Sequence, residues 1–154
     1  PNFLGVIAAS PAVLRGYARF RNELRQGVLE PATVERIALA VAKLHGSQPG
    51  LALHERTART KGLGIDEVLR AERWSSSDPK HAALLEWLRV AALGKGEVPR
   101  HLHEQAREAG WSDAELLEAI AILTLETFTA LVNVAGDVPV DGSPEETRQL
   151  RAVA

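Results

Sequence analysis

The sequence predicts an all-α fold of seven to eight helices in one domain spanning residues 1–154. No segment of useful length alternates apolar and polar residues, as a half-buried strand would. Helix start and stop signals, by contrast, recur at intervals of about ten to twenty residues. The chain has 154 residues, 45% of them hydrophobic, so it can bury a core without disulfide or metal staples.

Three helices are predicted in the first part of the chain. Ser10 and Pro11 form a helix start, and apolar residues then follow at helical spacing to residue 24, before a stop at Gly27. A second helix, residues 31–44, begins at Pro31 and is apolar around most of its circumference, so we expect it to be buried. A break at residues 45–50 separates it from a third helix, about residues 51–61, and the two should form a hairpin.

Four more helices and a terminal one are predicted further on. A short helix covers about residues 65–73, and Asp78 with Pro79 begins another that extends to residue 94. Residues 99–109 form the next, which is followed by Gly110. Ser112 and Glu115 make a capping box ahead of a long helix that reaches about residue 135. The same signature after Ser143 predicts a terminal helix.

Composition excludes several classes of function. Eighteen basic and twenty acidic side chains are interleaved along the chain and give a net charge of -2, which argues against a nucleic-acid groove or a membrane-binding surface. The apolar runs are shorter than the ~20 residues of a membrane span, and the start does not resemble a secretion signal, so we expect a cytoplasmic protein. With no cysteine, thiolate nucleophiles and disulfides are absent. The expected partner is a small-molecule substrate.

The candidate chemistry lies in the hairpin of the second and third helices. If the chain turns near Ser47, Glu35 lies twelve positions before the turn and His54 seven after it. At about 1.5 Å per residue, their backbones are offset by about 7 Å along the hairpin, which long side chains can bridge. A carboxylate that orients an imidazole makes a general acid/base near neutral pH. Taken singly, Glu35 could instead complement the helix dipole and His54 could be structural.

The same stretch resembles the alkylhydroperoxidase D and carboxymuconolactone decarboxylase family. That motif is a Glu, eleven residues, Cys-x-x-Cys, three residues and a His, and here Glu35, Ser47, Gly50 and His54 occupy its positions. The segment Lys61-Gly62-Leu63, residues 77–79, residues 108–115 and residues 133–141 are also similar to the family. The resemblance covers most of the chain and implies the helical fold of that family and a homo-oligomer, either a trimer or a hexamer.

The departure from the motif changes the implied chemistry. Members with both cysteines act as thiol peroxidases, and neither Ser47 nor Gly50 can replace a thiolate. The decarboxylase branch is similar in needing no cysteine pair, metal or organic cofactor. We therefore expect a cofactor-independent enzyme acting on a small carbonyl or lactone acid, with His54 as acid/base and Glu35 as its partner.

The hairpin break supplies the predicted substrate-binding residues. The free N–H groups at the helix start formed by Gly50 and Leu51 could hold an enolate or carboxylate. His45 and Ser47 would line the same break, although His45 could simply cap the second helix and Ser47 could satisfy loop backbone groups.

Two alternative functions stay open: a non-catalytic binding or assembly protein on the family scaffold, and a family-level peroxidase that works without thiols.

We assign no metal, because His101 and His103 lie two apart on a helix and point away from each other. One stripe of the long helix is expected to face solvent or another subunit: Glu118, Ile122, Glu126, Thr129 and Asn133.

Overall fold

The computed structural model describes residues 2–145, and within them it contains eight helices and no strand. The all-α prediction of seven to eight helices is therefore confirmed. In chain order the helices are α1 (Asn2–Ile7), α2 (Pro11–Leu24), α3 (Pro31–Leu44), α4 (Gln48–Thr60), α5 (Ile65–Ala71), α6 (Pro79–Leu93), α7 (Arg100–Glu108) and α8 (Asp113–Ala135).

Seven predicted helices correspond to α2 through α8, with ends shifted by a few residues. The largest shift is in α4, which begins at Gln48 because the Ser47 side chain accepts a hydrogen bond from the Gly50 N–H and caps the helix there. The short helix α1 was not predicted. The helix predicted after Ser143 falls largely on residues 146–154, outside the described residues.

Helix α3 is the centre of the fold. Its residues Ile37 through Val41 are all fully buried, and α3 packs against α4, α5, α6 and α8. The main core joins its inner face to leucines of α6 and to three tryptophans, Trp74, Trp87 and Trp111. Two of these form indole N–H hydrogen bonds: Trp111 donates to the Lys80 carbonyl at 2.8 Å, and Trp87 donates to His103 Nδ1 at 3.0 Å.

A half-buried carboxylate of α8 holds the loop between α2 and α3. Glu118 accepts hydrogen bonds from the backbone N–H groups of Val28 and Leu29, at 2.8 and 3.1 Å. Gly27 leaves room for this carboxylate, because a Cβ at that position would lie 2.4 Å from a Glu118 oxygen and the Glu118 side chain would have to shift. This contact holds the loop that follows α2 beside the second turn of α8.

Among the described residues, α8 alone has the length and apolar composition of a membrane-spanning helix. The buried core helix of a globular protein passes the same test. Here α8 packs against α1, α2, α3, α4 and α6, and these contacts within the chain cover part of its apolar surface.

Candidate active site

The α3/α4 hairpin brings Glu35 and His54 together, as their positions in the sequence predict. The chain reverses at Gly46, which has the left-handed φ of 66° that favours glycine, and Ser47 then caps α4. With the two helices side by side, the Nδ1–H of His54 donates to Oε2 of Glu35 at 2.9 Å.

A third side chain, from α8, completes the cluster. Oε2 of Glu126 lies 3.3 Å from Nε2 of His54. The imidazole therefore lies between two carboxylates, one at each ring nitrogen. We call Glu35, His54 and Glu126 the triad.

The triad is mostly shielded from water. The side chains of His54, Glu35 and Glu126 are 12%, 14% and 14% exposed. Burial alone would lower the pKa of His54, but hydrogen bonds to Glu126 and Glu35, together with their negative charges, raise it to about 9. His54 is thus an imidazolium at neutral pH, with a proton on each ring nitrogen.

Glu35 is the more firmly held carboxylate of the two. The Thr57 hydroxyl, one turn of α4 beyond His54, also donates to Oε2 of Glu35 at 2.7 Å. Burial raises the pKa of Glu35, but the hydrogen bonds from His54 and Thr57 and the charge of His54 outweigh it and hold this pKa below its ordinary value. Glu35 is therefore ionised at neutral pH.

All three triad residues line a cavity of about 360 Å³ bounded by α2, α3, α4 and α8. Six of its lining residues are apolar and lie on α2, α3, α8 and the loop between α2 and α3: Leu24, Leu29, Pro31, Val34, Ile122 and Leu125. A volume of this size is that of a small-molecule site.

Three cations also line the cavity: Arg21 from α2, Arg25 at the C-cap of α2, and Lys61 at the C-cap of α4. Their three positive charges exceed the net single negative charge of the triad, which consists of two carboxylates and one imidazolium. The cavity is therefore electropositive and suits an anionic ligand with an apolar body.

The four predicted substrate-binding residues lie elsewhere in the hairpin. His45 is the half-buried cap of α3. Ser47 is fully buried and accepts hydrogen bonds from the Gly50 N–H at 3.3 Å and from Nδ2 of Asn133 at 3.2 Å. Gly50 and Leu51 are buried. None of the four lines the cavity beside His54, and their substrate-binding role stays a prediction.

The expectation that one stripe of α8 faces solvent or a subunit is wrong. Glu118 binds the α2–α3 loop, Ile122 and Asn133 are buried, and Glu126 contacts His54. The stripe faces the α2–α4 side of the fold because these polar side chains find partners there. One signal could have identified Glu126: it is the sole charged residue between positions 119 and 135.

No group of three or more metal-ligating side chains is arranged to hold an ion within residues 2–145. His101 is exposed on α7, and His103 contacts Trp87. The chemistry available from the described side chains in the cavity is proton transfer and anion binding.

Comparison with known proteins gives a family and a fold. Residues 11–93 match the model of the carboxymuconolactone decarboxylase family. This range contains the whole α3/α4 hairpin with Glu35 and His54, whereas Glu126 lies beyond it. A comparison with curated proteins finds no significant match.

Three solved structures share the fold at low sequence identity. A protein of unknown function from Agrobacterium tumefaciens, linked by name to the antioxidant defence protein AhpD, is 18% identical with a TM-score of 0.80 over 89% of this chain and 96% of its own. An uncharacterized peroxidase-related protein from Ralstonia eutropha, with an alkylhydroperoxidase AhpD core, is 18% identical with a TM-score of 0.78 over 88% and 74%. A cysteine-to-alanine variant of the debrominase Bmp8, in complex with 2,3,4-tribromopyrrole, is 15% identical with a TM-score of 0.78 over 97% and 81%.

Proposed function

This chain belongs to the carboxymuconolactone decarboxylase family, and from that premise we propose that it is an enzyme that moves a proton on a small carbonyl or lactone acid. His54 is the proposed acid/base and Glu35 its partner. The reaction uses these side chains without a thiol and, in this proposal, without a cofactor.

The observation that carries the proposal is a buried imidazole held between carboxylates at the wall of a small-molecule cavity. Since the pKa of His54 is raised to about 9, its ring carries a transferable proton at neutral pH. A proton donor of this kind suits the capture of an enolate or carbanion, the species that forms when a carbonyl acid loses carbon dioxide or a C–H proton.

The electropositive lining supports an acid as substrate. Arg21, Arg25 and Lys61 can hold a carboxylate while the apolar wall covers the carbon skeleton. The substrate carbonyl would then lie next to the triad. This assignment gives the anion-binding role to side chains in the cavity.

Thiol peroxide chemistry does not fit the residues present. The two motif positions that hold cysteine in the peroxidases are Ser47 and Gly50 here, and the whole chain contains no cysteine. A serine hydroxyl forms no disulfide and has no accessible anion at neutral pH. The family scaffold therefore keeps its proton-handling residues and lacks its redox pair.

The experiment measures solvent deuterium uptake at the carbon next to the carbonyl, by proton NMR in deuterated water. The probes are levulinate, a keto acid, and paraconate, a lactone acid. We expect the wild-type protein to exchange at least one of them faster than buffer. The His54→Gln variant should lose about 100-fold or more in kcat, and Glu35→Gln should also lose activity because His54 is no longer oriented.

The control is His101→Gln, which alters an exposed histidine of α7 and should keep wild-type exchange. If the wild-type protein exchanges neither probe, and the Glu35 and His54 variants change only the melting temperature, the enzyme proposal is wrong and a binding or assembly protein is favoured. Consumption of cumene hydroperoxide with dithiothreitol above the buffer rate would instead favour the peroxidase alternative.

We also propose that the chain assembles as a homo-oligomer, a trimer or a hexamer. Large apolar side chains remain exposed on the outside of the single chain, including Leu117 at 71%, Leu131 at 53% and Val134 at 52%, all on α8. Light scattering coupled to size-exclusion chromatography should give a mass of three or six chains, and a monomeric mass would contradict this proposal. A cytoplasmic location stays a prediction.

A further inference from the structure

We propose that Glu126 is a further catalytic residue, the base that exchanges a proton with the substrate carbon. This inference rests on the proposed function and changes the division of labour within the triad. His54 carries a positive charge and a proton beside Glu126, Glu35 orients His54, and Glu126 contacts the substrate.

The geometry of the imidazole is the first reason. Both ring nitrogens of His54 are engaged, Nδ1 with Glu35 at 2.9 Å and Nε2 with Glu126 at 3.3 Å. A substrate carbon in the cavity cannot reach a free ring nitrogen unless one of these contacts opens. The protonated imidazole also has no lone pair with which to accept a proton. A carboxylate that lines the cavity is therefore the available base.

Of the two carboxylates, Glu126 is the less constrained. Glu35 accepts from two donors on α4, His54 and Thr57, whereas Glu126 accepts at Oε2 only, from His54. Its other oxygen, Oε1, has no hydrogen-bond partner among the described residues. Oε1 can thus take a proton while Oε2 keeps its contact with the imidazolium.

The second reason is the position of Glu126 relative to the cations of the cavity. Arg21, Arg25 and Lys61 line the same cavity as Glu126. A carboxylate bound at these cations would keep the rest of the substrate inside the cavity that Glu126 lines.

The step balances without any oxidant or further reactant. The carbon next to the carbonyl loses its proton to Oε1 of Glu126, and the C–H electron pair forms the enolate beside the cationic side chains. The same proton, or one exchanged with solvent, then returns to the same carbon or to a conjugated one. The products are the starting acid with exchanged hydrogen, or its isomer.

The test uses the deuterium-uptake assay on three Glu126 variants. Glu126→Gln keeps the size of the side chain but cannot take a proton, and should lower kcat about 100-fold or more while KM changes less than about threefold. Glu126→Asp retracts the carboxylate and should fall in between. In Glu126→Ala, added sodium formate should restore exchange in proportion to its concentration, because formate can occupy the space of the missing carboxylate.

The matched control is Glu86→Gln, a change at an exposed ion pair with Arg89 on α6, and it should leave kcat unchanged. Circular dichroism verifies that each variant is folded. If Glu126→Gln is unstable, formate rescue of Glu126→Ala still tests whether Glu126 is the base.

Three outcomes separate the possibilities. If Glu126→Gln keeps exchange within a few fold while His54→Gln abolishes it, Glu126 is not the base and the proposed function stands. If Glu126→Gln loses activity but formate does not rescue Glu126→Ala, the residue only positions His54 and the inference is overturned. If the wild-type protein exchanges neither probe, the proposed function fails and the inference fails with it.

Discussion

The protonated imidazole of His54 should make the protein more stable at mildly acidic than at alkaline pH. The perturbation is to raise the pH from about 6 to about 9.5, which removes the proton of His54 in the folded state. Because one pKa unit corresponds to about 1.4 kcal/mol, raising the pKa of His54 from 6.5 to about 9 stabilises the folded protein by about 3 kcal/mol. His54 is only 12% exposed, so solvent screening reduces this value little.

The sign follows from the two protonation states. Below pH 6.5 the imidazole is protonated in both folded and unfolded chains, and the full contribution is present. Above about 9 it is neutral in both, and the contribution is lost. Between these limits the free energy of unfolding should fall by about 1.4 kcal/mol per pH unit. The lowered pKa of Glu35 acts on the acid side and does not affect this window.

The assay is urea unfolding followed by circular dichroism at constant protein concentration across this pH range. The slope with pH is the readout, because His54→Gln also lowers absolute stability by leaving Glu35 and Glu126 face to face. The variant should lose most of the slope, whereas His101→Gln should keep it. Equal slopes in wild type and His54→Gln, or an NMR titration of the His54 ring with a midpoint near 6.5, would refute the reasoning.

Three further changes test other parts of the structure. The double change Ser47→Cys with Gly50→Cys should form a disulfide, because a Cβ at Gly50 lies 3.5 Å from the Cβ of Ser47 and disulfides need a Cβ–Cβ distance of about 3.5–4.5 Å. The measurement is the number of free thiols in the unfolded protein after oxidation, and retained thiols would contradict this prediction. Glu118→Ala should lower the urea-unfolding free energy by about 1–2 kcal/mol, since two backbone N–H groups lose their acceptor; an unchanged midpoint would count against it. Lys61→Gln should raise KM for levulinate roughly tenfold, or ~1.4 kcal/mol, with kcat little changed; an unchanged KM would remove Lys61 from the anion site.

Local sequence signals determined most of the helices and two of the three triad residues. Caps such as Ser10, Asp78 and Ser112 accept hydrogen bonds from the first turns of α2, α6 and α8, as predicted. Glu35 and His54 could be paired in advance because they belong to one hairpin, in which the rise per residue alone sets their offset.

Tertiary packing decided the rest. Helix α1 has no predicted start signal and is accounted for by contacts across the fold, such as Phe3 against Tyr17 and Phe128 with ring centroids 5.0 and 6.4 Å apart. Arg21 and Arg25 line the same cavity as the triad only because α2 packs against α8. Neither the packing of α1 nor that of α2 against α8 can be predicted from a local sequence pattern.

Glu126 shows most clearly why a local sequence pattern cannot determine a tertiary contact. Helical periodicity fixes which residues of α8 share a face, but not which neighbour that face meets. A charged residue at an otherwise apolar position is compatible with solvent, with a subunit contact or with a buried partner. The rotation of α8 about its axis, set by packing against helices far away in the chain, placed this carboxylate beside Nε2 of His54 and so determined the composition of the site.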